Sequence, residues 1–162
     1  MSRIWKPSVT VAAVVERDGR FLLVQEHTDQ GLRINQPAGH LEPGETLQQA
    51  VAREALEETA HPFRATALLG VYLWRRPGQS DATTYLRFAF TGELAERVAD
   101  RPLDHGIVAT LWLSREELAQ RSAEWRNPLV ARCIDDYLSG QRYPLDLLYA
   151  HPAAFAPATG FA

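Results

Sequence analysis

The stretch GHLEPGETLQQAVAREALEETAH, residues 39–61, decides how the rest of the chain is read. Gly39, Pro43 and Gly44 make its first seven residues a loop. Thr46 followed by Gln49 matches a capping box, so a helix starts at Thr46. Leu47, Ala50 and Val51 give that helix an apolar stripe at helical spacing. Pro62, with the restricted residue before it, ends the helix. At about 100° per residue, Val51, Glu54 and Glu58 share one face and Glu57 lies beside them. The three carboxylates fall within about a third of the circumference, at the edge of the buried stripe.

A solvated acidic face with helix ion pairs is one reading of this segment. Its charges fit that reading poorly. Glu54 has Glu58 four residues on, Glu57 has His61, and Glu58 has Pro62. Only Arg53, four residues before Glu57, is placed to pair. Each like-charge pair costs only about 0.2–0.5 kcal/mol, so repulsion alone decides little. The position does more, because the C-terminal half of a helix also disfavours anions. A hard divalent cation gives the alternative reason for the placement: Mg²⁺ or Mn²⁺ takes carboxylate oxygens and leaves room for water and substrate phosphate.

Outward from this segment the chain alternates strands and turns. Val9 to Val15 reads as a buried strand, Asp18-Gly19 as a tight hairpin turn, and Phe21 to Glu26 as the return strand. His27 to Arg33 reads as a polar loop, and Ile34 to Ala38 as a short strand interrupted by Pro37. Ala67 to Trp74 and Tyr85 to Gly92 read as strands around a polar loop, Arg76 to Ala82, and Ile107 to Leu113 as a further strand. Ser114 with Glu117 forms a second capping box, opening a short helix to about Arg121. Pro128 opens a third helix that buries Leu129, Val130, Cys133, Ile134, Tyr137 and Leu138 and ends at Gly140. Beyond Tyr149 the Ala/Pro-rich tail is expected to be loose. No repeat or low-complexity linker interrupts this order, which suits an α/β sandwich with a mixed sheet better than a doubly wound parallel one.

The composition sets the outer bounds. With 162 residues, 46% hydrophobic and 23% charged, the chain is long enough for one sizeable core and is not disordered. A single cysteine, Cys133, excludes an internal disulfide and suits a reducing, cytoplasmic setting. The net charge of −3 argues against a stable nucleic-acid partner. No apolar run approaches the roughly 20 residues of a membrane helix, and Met1 to Pro7 lacks the apolar core of a signal peptide. Lys6 is the only lysine, a bias consistent with the base composition of the source genome.

The segment also resembles the signature of the Nudix hydrolases. Gly39, five residues, Glu45, seven residues, then Arg53-Glu54, Ala55, Leu56, Glu57-Glu58 fills every charged position of that signature at its spacing. Ala55 and His61 stand where an aliphatic residue is usual, and Ala60 replaces the late glycine that ends the helix in a left-handed conformation. The resemblance implies an α+β fold, an α/β/α sandwich with a mixed central β-sheet between helices. It implies one domain with its core at about residues 8–149 and a loose tail at 150–162. It further implies that Glu54, Glu57 and Glu58 bind Mg²⁺, or Mn²⁺, with the Gly39 carbonyl as a further ligand. Glu54 is then the best candidate to position or deprotonate the attacking water, and Arg53 and Glu45 form an ion pair that orients the carboxylates. Asn35 to Glu42 and Ser139 to Leu145 are similar to the bacterial phosphatase NudJ group of that family. This implies release of phosphate from nucleoside di- and triphosphates, thiamine pyrophosphate and hydroxymethylpyrimidine pyrophosphate. The alternatives are other Nudix substrates (oxidised nucleotides, ADP-ribose, RNA ends) or a non-catalytic nucleotide sensor, against which the intact glutamates speak.

Arg33, Gln36, His40, Trp74, Tyr85 and Arg87 are the candidate substrate contacts. Arg33 flanks the strand leading into the box and suits a phosphate clamp. Tyr85 and Arg87 alternate with Leu86 and so face one side of a strand, where an aromatic could stack on a base. Core aromatics and solvated arginines are the plain alternative. Trp5, Trp112 and Trp125 read as packing, and Cys133 as core. The expected partner is a small diphosphate or nucleotide, with no membrane association, in a monomer or homodimer.

Overall fold

Pro37 marks where the chain passes from one sheet to the other, and that passage sets the architecture. The computed structural model describes residues 4–78 and 83–155. One sheet has the order β5-β1-β7-β6, built from β1 (Ser8–Ala13), β5 (Ala38–His40), β6 (Phe63–Arg75) and β7 (Thr84–Leu94). Strands β1 and β7 are parallel and the other pairs antiparallel, so the sheet is mixed. The second sheet joins β2 (Glu16–Arg17), β3 (Arg20–Thr28), β4 (Gly31–Asn35) and β8 (Ile107–Leu113), with β8 pairing β3. Proline has no N–H to donate to a ladder. Instead the Pro37 carbonyl accepts from Ala13 N (2.9 Å), and the single strand expected over Ile34 to Ala38 becomes two short ones in different sheets.

The three helices are α1 (Leu47–Thr59), α2 (Arg115–Gln120) and α3 (Leu129–Leu138). Thr46 and Gln49 cap α1 reciprocally, as do Ser114 and Glu117 for α2. Alternation along β1 decides where the helices go. Val11 and Ala13 pack with Ala50, Val51 and Ala55 of α1. Ala12 and Val14 pack with Val130, Cys133 and Ile134 of α3 and Leu118 of α2. Strand β1 is therefore covered on both faces, which is why it reads as a continuous apolar run. The fold is α+β, with helices packed against both sides of the strands.

Several expectations need correction. The polar stretch His27 to Arg33 is not a loop: β3 runs on through Thr28, turns, and returns as β4 from Gly31. The Thr28 hydroxyl accepts from Gln30 N (3.0 Å) and donates to the Gly31 carbonyl (2.7 Å), closing a turn that polar composition alone does not distinguish from a loop. Trp5 is exposed rather than packed. Leu138, the last residue of α3, is also exposed, whereas Asp136 is turned inward to accept from the Tyr72 hydroxyl (2.9 Å) and Arg132 Nε (3.0 Å). Residues 79–82 of the expected loop, 156–162 of the expected tail and 1–3 of the N-terminal segment lie outside the described residues. Ala60 ends α1 with φ 59°, the left-handed conformation a glycine adopts there. Its methyl is fully buried, and its N–H reaches the Leu56 carbonyl at 2.9 Å.

Candidate active site

Arg53 organises the acidic face of α1. Its Nε donates to Glu45 Oε2 (3.0 Å) and Nη2 to Glu45 Oε1 (2.8 Å), a two-pronged pair across the loop that leads into the helix. Nη2 also reaches the His40 carbonyl (2.9 Å), and Nη1 donates to Glu54 Oε1 (2.7 Å) and Glu57 Oε2 (3.2 Å). All five guanidinium N–H donors are thus engaged. These bonds hold the Glu45 carboxyl below the usual range and the Arg53 guanidinium above its own.

Glu54 and Glu58 are buried where charge is costly. Burial raises the Glu54 carboxyl against the opposing pull of Arg53. Burial pushes Glu58 up to about 8, aided by Glu54, Glu26 and Asp104 and opposed by the Ala38 N–H, which donates to Glu58 Oε2 at 2.9 Å. Asp104 comes from the segment before β8, where its backbone N–H bonds the Glu57 carbonyl (2.8 Å). No sequence spacing points to Asp104, because forty-odd residues and two strands separate it from the box.

These residues fit a divalent cation by chemistry. Three carboxylates and a backbone carbonyl are hard oxygen donors. Gly39 also has a reason to be glycine: a Cβ there would overlap the Glu54 carboxylate. Among the described residues, no three His, Cys, Asp or Glu side chains already form a metal cage. Arg53 engages Glu54 and Glu57, and the Ala38 N–H engages Glu58, so ligation entails exchanging those bonds.

Strand β5 separates this cluster from a cleft of about 540 Å³. A side chain on Gly39 would point at Glu54 on α1, while the strand itself, Ala38 to His40, borders the cleft. Its aromatic wall is Trp74 stacked on Tyr85 at 6.1 Å, with the His40 ring 6.3 Å from Tyr85. Its polar side holds Glu26, Asn35, Arg126 and Asn127. Arg87 is buried at the base, held by Gln36 Oε1 (3.2 Å) and Asn35 Oδ1 (3.3 Å), both neutral acceptors. Burial lowers its pKa.

His40, Trp74, Tyr85 and Arg87 therefore line one cleft, and Glu45, Arg53, Glu54, Glu57 and Glu58 one cluster beside it. Gln36 is buried beneath Arg87 and donates to the Val130 carbonyl (2.7 Å), so it supports the cleft without lining it. Arg33 stands apart from the lining, with its Nη1 on the neighbouring Leu32 carbonyl (2.8 Å). Glu26, Arg126 and Asn127 line the cleft although the sequence does not mark them, since each reads as an ordinary surface residue.

Comparison with known proteins agrees with this architecture. The NUDIX domain pattern matches residues 5–133. The chain is 44% identical over 145 residues to phosphatase NudJ of Escherichia coli K12, covering 90% of this chain and 92% of that protein. The corresponding phosphatase NudJ of Shigella flexneri matches with the same figures. A solved Nudix hydrolase from Nitrosomonas europaea superposes with a TM-score of 0.86 at 50% identity, covering 90% of this chain and 98% of that one. The chain belongs to the Nudix family and is a hydrolase acting on pyrophosphate bonds.

Proposed function

We propose that the chain is an Mg²⁺-dependent phosphatase that releases phosphate from nucleoside di- and triphosphates and from thiamine-type pyrophosphates, with Mn²⁺ as a substitute cation. The observation that carries this reading is the position of the α1 carboxylates and the ring-binding cleft on either side of one short strand, β5. A diphosphate lying across β5 brings its anhydride to Glu54, Glu57 and Glu58 and its ring to Trp74 and Tyr85. The similarity to phosphatase NudJ over nine-tenths of the chain supports release of phosphate.

Glu54, Glu57, Glu58 and the Gly39 carbonyl would hold the cation, which supplies charge neutralisation at phosphate oxygens and acidifies water for attack. The protein's own groups do the rest. Glu54, with a carboxyl raised by burial, accepts the proton of the attacking water. Arg53, anchored on Glu45, sets the direction of Glu54 and Glu57. Arg87 holds positive charge at the base of the cleft for the anionic substrate, and Gln36 and Asn35 keep its fork in place.

The test is a panel of nucleoside di- and triphosphates and thiamine pyrophosphate, scored separately for orthophosphate and pyrophosphate. Orthophosphate release with Mg²⁺, abolished by chelator and lowered by orders of magnitude in Glu58→Gln, is the expected result. Wild-type turnover in Glu58→Gln overturns the cation assignment. Pyrophosphate release from triphosphates alone overturns the phosphatase reading.

A further inference from the structure

Glu26 stands on the polar side of the cleft with its donors at a distance. Asn35 Nδ2 lies 3.4 Å from Oε1 and Arg126 Nε 3.9 Å away, although the side chain is largely buried. A carboxylate offers about four acceptor positions, and buried acceptors are ordinarily satisfied. Glu26 therefore lines the cleft with the Asn35 amide as its one long hydrogen-bond donor among the described residues and with acceptor positions left for a ligand. Arg126 places a donor next to those acceptors, and no carboxylate among the described residues lies closer to it than Glu26. The same cleft is lined by Trp74 and Tyr85, which offer a flat wall for a ring.

A guanidinium donor beside the two oxygens of a carboxylate can complement one base edge, that of guanine. Guanine presents a carbonyl oxygen, a ring N–H and an exocyclic amine side by side. Uracil puts a second carbonyl where the carboxylate needs a donor. Adenine and cytosine put a bare ring nitrogen there. Each of those three sets a lone pair against Glu26. We infer that Glu26 and Arg126 select guanine nucleotides, Glu26 accepting from the ring N–H and amine while Arg126 donates to the carbonyl oxygen. The inference rests on the reading that the cleft holds the ring of a nucleoside diphosphate, and it adds which ring.

The experiment uses the full chain in two measurements. The first is kcat/KM for orthophosphate release from GDP, ADP, UDP and CDP with Mg²⁺. The second is calorimetric binding of GMP and UMP, which needs no turnover. GDP is expected to exceed the other three by about ten- to a hundredfold in kcat/KM, and GMP to bind at least about tenfold tighter than UMP. Glu26→Gln is expected to bring both ratios to within about threefold of unity through KM, and Arg126→Ala to lower the GDP value selectively. A ratio near one in the wild type, or a ratio that Glu26→Gln leaves intact, overturns the inference. Should Glu26→Gln fail to fold, the wild-type ratios and Arg126→Ala decide. If no diphosphate is hydrolysed while GMP still outbinds UMP, base selection holds and the catalytic reading fails. If GDP and UDP are hydrolysed alike, the catalytic reading holds and base selection fails.

Discussion

Replacing Glu58 by glutamine separates a carboxylate kept for a cation from one kept for structure. Glutamine preserves the shape and can still accept from the Ala38 N–H. Unfolded, Glu58 loses its proton near the usual 4.5; folded, burial holds the proton until about 8. Between those values the folded chain carries a proton that the unfolded chain has lost. Stability without a cation therefore falls as pH rises through this window, and the loss is complete above about 8. At about 1.4 kcal/mol per pH unit the interval amounts to at most about 5 kcal/mol. Most of this cost is burial of the Glu58 charge itself, with repulsion from Glu54, Glu26 and Asp104 added to it; with about half offset by relaxation and water around the site, removing the charge is worth about 2–3 kcal/mol. For a chain of this size that raises Tm by about 5–10 °C. The assay is thermal unfolding of wild type and Glu58→Gln in chelator from pH 5 to pH 9. The curves are expected to coincide at the acid end and diverge toward the alkaline end, the variant being the more stable. The same variant is expected to lose orders of magnitude in turnover with Mg²⁺. Parallel curves across the whole range would refute the electrostatic reasoning, since the buried charge would then cost nothing.

Three further substitutions probe the frame around the carboxylates. Arg53→Lys cannot span Glu45, Glu54, Glu57 and the His40 carbonyl together, and steady-state kinetics are expected to show kcat lowered by about 10–100-fold; unchanged kcat would remove Arg53 from the positioning role. Gly39→Ala places a methyl where the Glu54 carboxylate lies, and turnover is expected to fall about 100-fold with an unaltered circular dichroism spectrum. Ala60→Gly relieves about 1 kcal/mol of left-handed strain and gives up a buried methyl worth about 0.8 kcal/mol. Urea unfolding should therefore place this variant within about 0.5 kcal/mol of wild type, and a gain of about 1 kcal/mol or more would show that the methyl contributes nothing.

The sequence by itself determined the parts that obey local rules. Both capping boxes, the helical phase that puts Glu54, Glu57 and Glu58 on one side, and the Asp18-Gly19 turn depend on neighbours within four residues, so spacing reads them directly. The charged pattern from Gly39 to Glu58 carried the family in the same way. Tertiary structure alone decided what depends on residues far apart in the chain. Gln36 and Arg87 are fifty-one positions apart, yet Gln36 ends beneath the cleft holding Arg87 because β4 and β7 lie in different sheets that meet there. Asp104 reaches the acidic cluster only through the segment before β8, and Glu26 meets Asn35 because β3 and β4 pair where polarity suggested a loop. A side chain's neighbours across sheets follow from packing, which no periodicity along one strand encodes; the cluster was therefore legible beforehand, and of the cleft only His40, Trp74, Tyr85 and Arg87 were, not the polar side with Glu26, Arg126 and Asn127.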